Sequence, residues 1–275
     1  MHSEFYTAAQ QEFVLVSLDF PQGEEAKAAV PNPARNDELM KKYAVRGFPT
    51  VMIVNPNGDA LGQTGYQDMD PADYFVDVQR LRDTGIKALV VVKELEKEFE
   101  AAEDKLVVAL KAMKQLASME PGTPGLGTVA DIVRQGIALT EKADEKISML
   151  KAVLAATSPT AADKELITKL DSKNEHGLML MLVLEKMNSL QSEEDLASFI
   201  VMADALVATG NVEAGEDSLI IYVSAAYFLN EHLSDADAAK VWAQRAQDQG
   251  GLDERMQEVI DDILGTSPFE DDSDF

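Results

Sequence analysis

The chain has 275 residues, enough for two domains, and 46% of them are hydrophobic, which suffices to build buried cores. Its 24 basic and 49 acidic residues give a formal net charge of −25, so its surface repels phosphate backbones and anionic lipids, and we expect no binding to nucleic acid or membrane surfaces. The absence of cysteine excludes disulfides, thiolate nucleophiles and thiolate–metal sites.

The first predicted elements are a helix, a strand and a second helix. Apolar residues recur at helical spacing over residues 5–13, so the chain opens on what resembles the second half of a helix. Residues 13–20 are almost continuously apolar, which is typical of a strand covered on both faces. A loop rich in proline follows, and Asn36 and Asp37 can cap a helix over residues 38–44.

A hairpin and a further helix are predicted next. Residues 50–54 and 60–65 are the two strands, because Asn-Pro-Asn-Gly at 55–58 is a strong signal for a hairpin turn between them. A helix then opens at Asp70 and Pro71, with the proline in the first helical position.

After Gly85 the sequence pattern is helical throughout, and this change marks the predicted domain boundary. We predict an α/β domain over residues 1–84, an all-helical domain over 86–265 and an acidic, disordered tail over 266–275. The predicted helices cover 86–118 (as one helix or two), 128–157, 160–170, 175–190, 193–208, 217–233, 236–249 and 253–264. Small and aromatic residues give the later helices a repeat-like texture, but we favour a helical domain without a strict repeat because no full repeat signature is present.

Other motifs do not support a catalytic, metal or cofactor site. The three histidines lie outside recognised zinc-ligand spacings, and the acidic tail lacks the loop glycine and terminal glutamate of a calcium-binding EF-hand. The glycines of 122–127 are not followed by the Lys-Ser or Lys-Thr of a phosphate loop. The methionine-rich segment 178–187 could form an adaptable partner groove, although a buried core helix is the more common meaning. No run of 18 apolar residues occurs, so we predict no membrane insertion.

Residues 42–58 resemble the thioredoxin family. They combine a helix that ends in Tyr and Val, the sequence Gly-Phe-Pro-Thr at 47–50, a strand and an Asn-Gly turn, in the order that the family shows. The predicted strand over 13–20 and the closing helix also fit, so the resemblance covers about residues 3–83. It implies a cis peptide bond before Pro49, and it implies that Phe48, Pro49 and Thr50 present backbone to an extended protein substrate. The alternative is that Pro49 only ends a helix and shapes a turn.

The chain departs from the family pattern at the redox centre. The Cys-x-x-Cys of the family follows a first strand, which is central in the sheet between the counterparts of residues 13–19 and 50–54, and this sequence contains neither. One explanation is a fragment whose complete form, periplasmic or secreted, carries a signal peptide and the dithiol upstream of Met1. The other is genuine loss of the redox half, which leaves a binding role. We favour the fragment because no spare strand is visible that could rebuild the sheet.

These features of the sequence predict one of two functions. The first is a thioredoxin-like protein of the thiol–disulfide redox class that is redox-inactive as given, with protein partners bound at Phe48, Pro49 and Thr50. The second is a non-catalytic interaction scaffold in which the helical domain binds protein partners.

Overall fold

The computed structural model describes residues 3–21, 23–43, 45, 47–120 and 122–266, so most of the predicted acidic tail lies outside the described residues, as does Arg46 next to the Gly-Phe-Pro-Thr motif. The chain divides into two compact units, Met1–Val133 (unit 1) and Arg134–Phe275 (unit 2). The architecture is mostly helical, with one small two-stranded sheet in unit 1.

Unit 1 begins with three short helices: α1 (Ser3–Glu12), α2 (Glu24–Ala28) and α3 (Pro33–Lys42). The third begins earlier than predicted. Asn32 is its cap, since the Asn32 side chain accepts the backbone N–H of Arg35 at 3.2 Å, and Pro33 is the first helical residue. Asn36, which we predicted as a cap, is instead buried and donates from Nδ2 to the backbone oxygen of Asp19 at 3.1 Å.

The hairpin prediction is confirmed at its predicted residues. β1 (Thr50–Val54) and β2 (Ala60–Gly65) are antiparallel, with Thr50 opposite Gly65, and the pairing register shifts between Ile53 and Val54. Gly58 in the connecting turn has φ +78°, the left-handed region that favours glycine. Among the described residues, β1 pairs with β2 alone, so its other edge is open.

The predicted strand over residues 13–20 is wrong. The segment is outside any strand, yet it also contains no turn or bend, so it follows an extended course. In the described part of the chain, residues 14–18 make no hydrogen bond. The backbone oxygen of Asp19 accepts a hydrogen bond from the side chain of Asn36. An apolar sequence makes a strand only where a neighbouring strand supplies backbone partners, and the described sheet places none against this segment.

A 31-residue helix, α4 (Pro71–Ala101), follows the hairpin and runs without interruption through Gly85, where we predicted the domain boundary. Gly85 marks a close approach, because a Cβ added there would lie 2.0 Å from the backbone oxygen of Leu61 in β2. The small core beside it consists of Ile53, Leu61 and Val78, with Phe13, Tyr74, Leu81 and Leu89 packed against them.

All other regular elements of the described chain are helices, as predicted for the C-terminal part. They are α5 (Lys105–Leu116), α6 (Leu126–Leu139), α7 (Ala143–Ala156), α8 (Ala161–Leu170), α9 (Leu178–Asn188), α10 (Glu193–Ala208), α11 (Glu216–Glu231), α12 (Ala236–Gln249) and α13 (Glu254–Leu264). The single helix predicted over 128–157 is wrong. It breaks at Thr140, whose hydroxyl donates to Glu145 at 2.5 Å and accepts the backbone N–H of Lys142 at 3.2 Å.

Unit 2 has an apolar core of its own. Phe199 is fully buried, and Trp242 is buried under the side chains of Tyr222 and Arg245, whose guanidinium lies 4.6 Å from the ring centre. Met179 and Met187 of the methionine-rich helix pack against the same core. The core interpretation of that helix is therefore confirmed.

Candidate functional site

The residues that we predicted to bind substrate form a tight loop directly before β1. The Phe48–Pro49 peptide bond is cis, as the resemblance implied. The hydroxyl of Thr50 donates to the backbone oxygen of Gly47 at 2.6 Å, which closes the loop on itself. The side chain of Phe48 remains 59% exposed, so the loop presents a large aromatic group to solvent.

Two neighbouring segments hold this loop in place. The ring of Phe48 stacks on the ring of Phe20, with 5.1 Å between centroids and 29° between planes. On the β2 side, the backbone oxygen of Pro49 comes so close to Gly65 that a Cβ there would lie 3.0 Å from it. The loop is thus packed between the end of the extended segment and the end of the hairpin.

Side-chain bonds brace both ends of the hairpin. The hydroxyl of Tyr74 in α4 donates to the backbone oxygen of Gly65 at 3.1 Å. Burial raises the pKa of Tyr74, so this hydroxyl keeps the proton it donates. At the opposite end, the hydroxyl of Tyr43 donates to the backbone oxygen of Gly58 at 3.1 Å and ties α3 to the turn.

The loop, the segment 14–18 and β1 carry exposed apolar side chains. We call this surface the edge patch, and it consists of Val14, Leu15, Val16, Leu18, Phe48, Val51 and Val54. Val14 is 92% exposed and Val16 is 74% exposed, although both are β-branched residues in an uncharged run. Large apolar side chains that stay exposed on neighbouring segments are typical of an interaction site.

The start of the extended segment is fixed against α4. Glu12 accepts hydrogen bonds from Gln79 at 2.7 Å and from Arg82 at 2.5 Å, and the guanidinium of Arg82 lies 5.3 Å from the centre of the Phe13 ring. Hydrogen bonds to Asp83 and Glu12 raise the pKa of Arg82, so its charge is permanent. Phe13 is therefore held beside the core while the residues after it project into solvent.

The groups that the loop and its neighbours offer are those of a binding surface. The whole sequence has no cysteine. Where the structure describes the chain, it brings together no group of three histidine, aspartate or glutamate side chains that could hold a metal ion. The chemistry available at the loop is main-chain hydrogen bonding along β1 and apolar contact at the edge patch.

Sequence reasoning located Phe48, Pro49 and Thr50 but missed the role of residues 14–20 in the site. We assigned those residues to the interior of a sheet, whereas they are largely exposed and end on the Phe48 ring. The available signal was that the sequence offers no spare strand beside this segment, because a sheet segment without its neighbour has to expose its backbone and one apolar side.

Comparisons with known proteins returned no relatives: no protein-family model, no curated protein and no solved structure matches the chain. A search of the helices in the described part of the chain found none with the length and apolar character needed to cross a bilayer.

Proposed function

We propose that this chain is a non-redox, thioredoxin-like binding protein whose unit 1 captures an extended segment of a partner protein at Phe48, Pro49 and Thr50. The observation that carries the proposal is the open edge of β1, which begins at the exposed Phe48 loop. An open edge presents a row of backbone donors and acceptors that an added strand can satisfy.

The side chains around the edge match this role. Phe48 supplies an aromatic surface at one end of β1, and aromatic residues carry a large share of binding energy at protein interfaces. Val51 and Val54 are exposed along the strand itself. A bound segment would gain main-chain hydrogen bonds from β1 and apolar contact from these three side chains.

A longer form of the protein with an upstream dithiol would use the same surface differently. There the loop would hold a disulfide-containing partner while a thiolate attacks one sulfur of its disulfide, which forms a mixed disulfide and releases the other sulfur as a thiolate. Such a form would belong in the periplasm or outside the cell, where thiol–disulfide exchange on secreted proteins takes place. The chain as given lacks the thiol, so binding is the step it retains.

Two measurements test the proposal. In an insulin-reduction assay with dithiothreitol, the chain should not increase the rate above that of buffer. Carboxyamidomethylated insulin B chain, which stays unfolded, should bind, and Phe48→Ala should weaken that binding about tenfold, which corresponds to about 1.4 kcal/mol. The matched control is Val76→Ala, a residue of α4 with a similarly exposed side chain (61%) outside the edge patch. Equal affinity of Phe48→Ala and wild type would overturn the proposal.

The helical scaffold is our second proposal. It draws on the apolar core of unit 2, which contains none of the residues of the small core of unit 1. Partner binding by the full chain that is identical in the wild type and in Phe48→Ala would favour this alternative.

A further inference from the structure

Two extended segments of unit 1 lie beside each other without pairing. Phe13 packs against the core that contains Ile53 of β1, and Phe20 stacks on Phe48 just before β1. The segment 13–20 is therefore attached at its start to the core that contains Ile53 and at its end to Phe48, which precedes β1. Between these attachments, the described residues record no backbone hydrogen bond from residues 14–18 to β1.

Both segments leave backbone groups available toward an added strand. β1 uses one edge for β2 and leaves the other open. Residues 14–18 are exposed and use neither edge, although their composition (Val-Leu-Val-Ser-Leu) strongly favours a β-sheet. Backbone groups in such a segment remain solvated until a strand pairs with them.

We infer that a partner strand inserts between residues 14–18 and β1 and pairs with both, and that this strand is apolar and β-branched with basic residues at its flanks. The inference rests on the proposed function and adds to it the two-sided mode of binding and the chemistry of the partner. Apolar side chains are required because the inserted strand would contact Val16 and Val51 of the edge patch.

The charge of the chain favours a cationic partner over a second copy. Residues 14–18 of a second copy have the apolar composition that the inserted strand needs. Each copy has a net charge of −25, however, and like charges at this density repel. Asp19 follows the run directly and is exposed, whereas Glu12 before the run is already paired with Arg82. Basic flanks on a partner strand would meet Asp19 and the acidic surface favourably.

Peptides methylated on one edge distinguish insertion from addition at a single edge. The probe is the peptide Lys-Lys-Val-Thr-Val-Ile-Val-Thr-Lys-Lys with both termini blocked. One derivative carries N-methyl groups on the three valines, and the other carries them on the two threonines and the isoleucine. Successive N–H groups of a strand point to opposite edges, so each derivative has one blocked edge. Insertion predicts at least tenfold weaker binding for both derivatives. Retained affinity for either derivative would overturn insertion and leave one-sided binding, and hence the proposed function, intact.

Hydrogen exchange and paired variants complete the test. The unmodified peptide should protect amides in both 14–18 and 51–54, and Val16→Asp should weaken its binding at least fivefold while Val76→Asp leaves it unchanged. Protection of 51–54 alone would overturn insertion.

Equal affinity for a peptide with glutamates in place of the lysines would overturn the inference that the partner strand has basic flanks. Dimerisation of the free chain with protection of both segments would show a second copy as the occupant and so overturn the cationic partner. Binding of insulin B chain without binding of this peptide would refute the inference alone.

Discussion

Replacing Gly85 by alanine tests how α4 is packed onto the hairpin. A Cβ at this position would lie 2.0 Å from the backbone oxygen of Leu61, 2.6 Å from its carbonyl carbon and 2.7 Å from its Cα. All three atoms belong to the backbone of β2, and the Leu61 side chain is buried, so no flexible group can move aside. Either α4 or β2 has to shift to admit the methyl group.

Two effects of opposite sign set the magnitude. Alanine is the better helix former by about 1 kcal/mol, which alone would stabilise α4. Overpacking that displaces backbone costs about 3 kcal/mol at the upper end of its usual range. We therefore expect the free energy of unfolding of unit 1 to fall by about 2 kcal/mol in Gly85→Ala.

Native-state hydrogen exchange of the amides in β1, β2 and the first half of α4 measures this loss directly. Fluorescence of Trp242, the one tryptophan of the chain, reports on unit 2 and should be unchanged by the substitution. Gly127→Ala is the matched control, since Gly127 is a helical residue of α6 with no atom within 4 Å of an added Cβ. If Gly85→Ala protects these amides as well as the wild type does, the close approach of α4 to β2 is refuted.

Substitutions at three further positions have defined outcomes in unit 2. Phe199→Ala removes a fully buried ring and should lower the urea-unfolding free energy, followed by Trp242 fluorescence, by about 4 kcal/mol. Asp171 is 2% exposed, and its carboxylate accepts two backbone N–H groups at the start of α9. Asp171→Ala should therefore lower the free energy of unfolding by about 3 kcal/mol, and Asp171→Asn, which keeps one acceptor, should lower it clearly less. Equal losses in the two variants would contradict this role. The hydrogen bond from Lys142 holds the pKa of Glu145 below its usual value, so the stabilisation from this pair is present above the unfolded-state pKa and is lost as pH falls through the folded one. NMR titration of the Glu145 carboxyl should show its pKa rising in Lys142→Ala, and an unchanged pKa would rule the pair out as the cause.

Local sequence signals determined the elements whose ends are defined by nearby residues. The hairpin over 50–65 follows from its turn, and the structure has both strands at the predicted residues. α10 and α12 also begin and end at the predicted residues. Their starts are defined by the side chains of Ser192 and Asp235, each of which accepts the backbone N–H three residues later in the chain. The loop of Phe48, Pro49 and Thr50 was likewise located by its motif and by the strand that follows it.

Tertiary contacts decided what these local signals could not. Glycine often ends a helix, yet Gly85 lies inside α4. The position requires glycine because the Leu61 backbone leaves no room for a side chain. Residues 13–20 have the composition of a strand, but they form none because strand formation depends on a neighbour distant in sequence. The same dependence left residues 14–18 exposed beside Phe48. The binding surface that we propose is therefore a product of the fold. Its two segments are separated along the chain by α2 and α3, and the contacts of Phe13 and Phe20 bring them together.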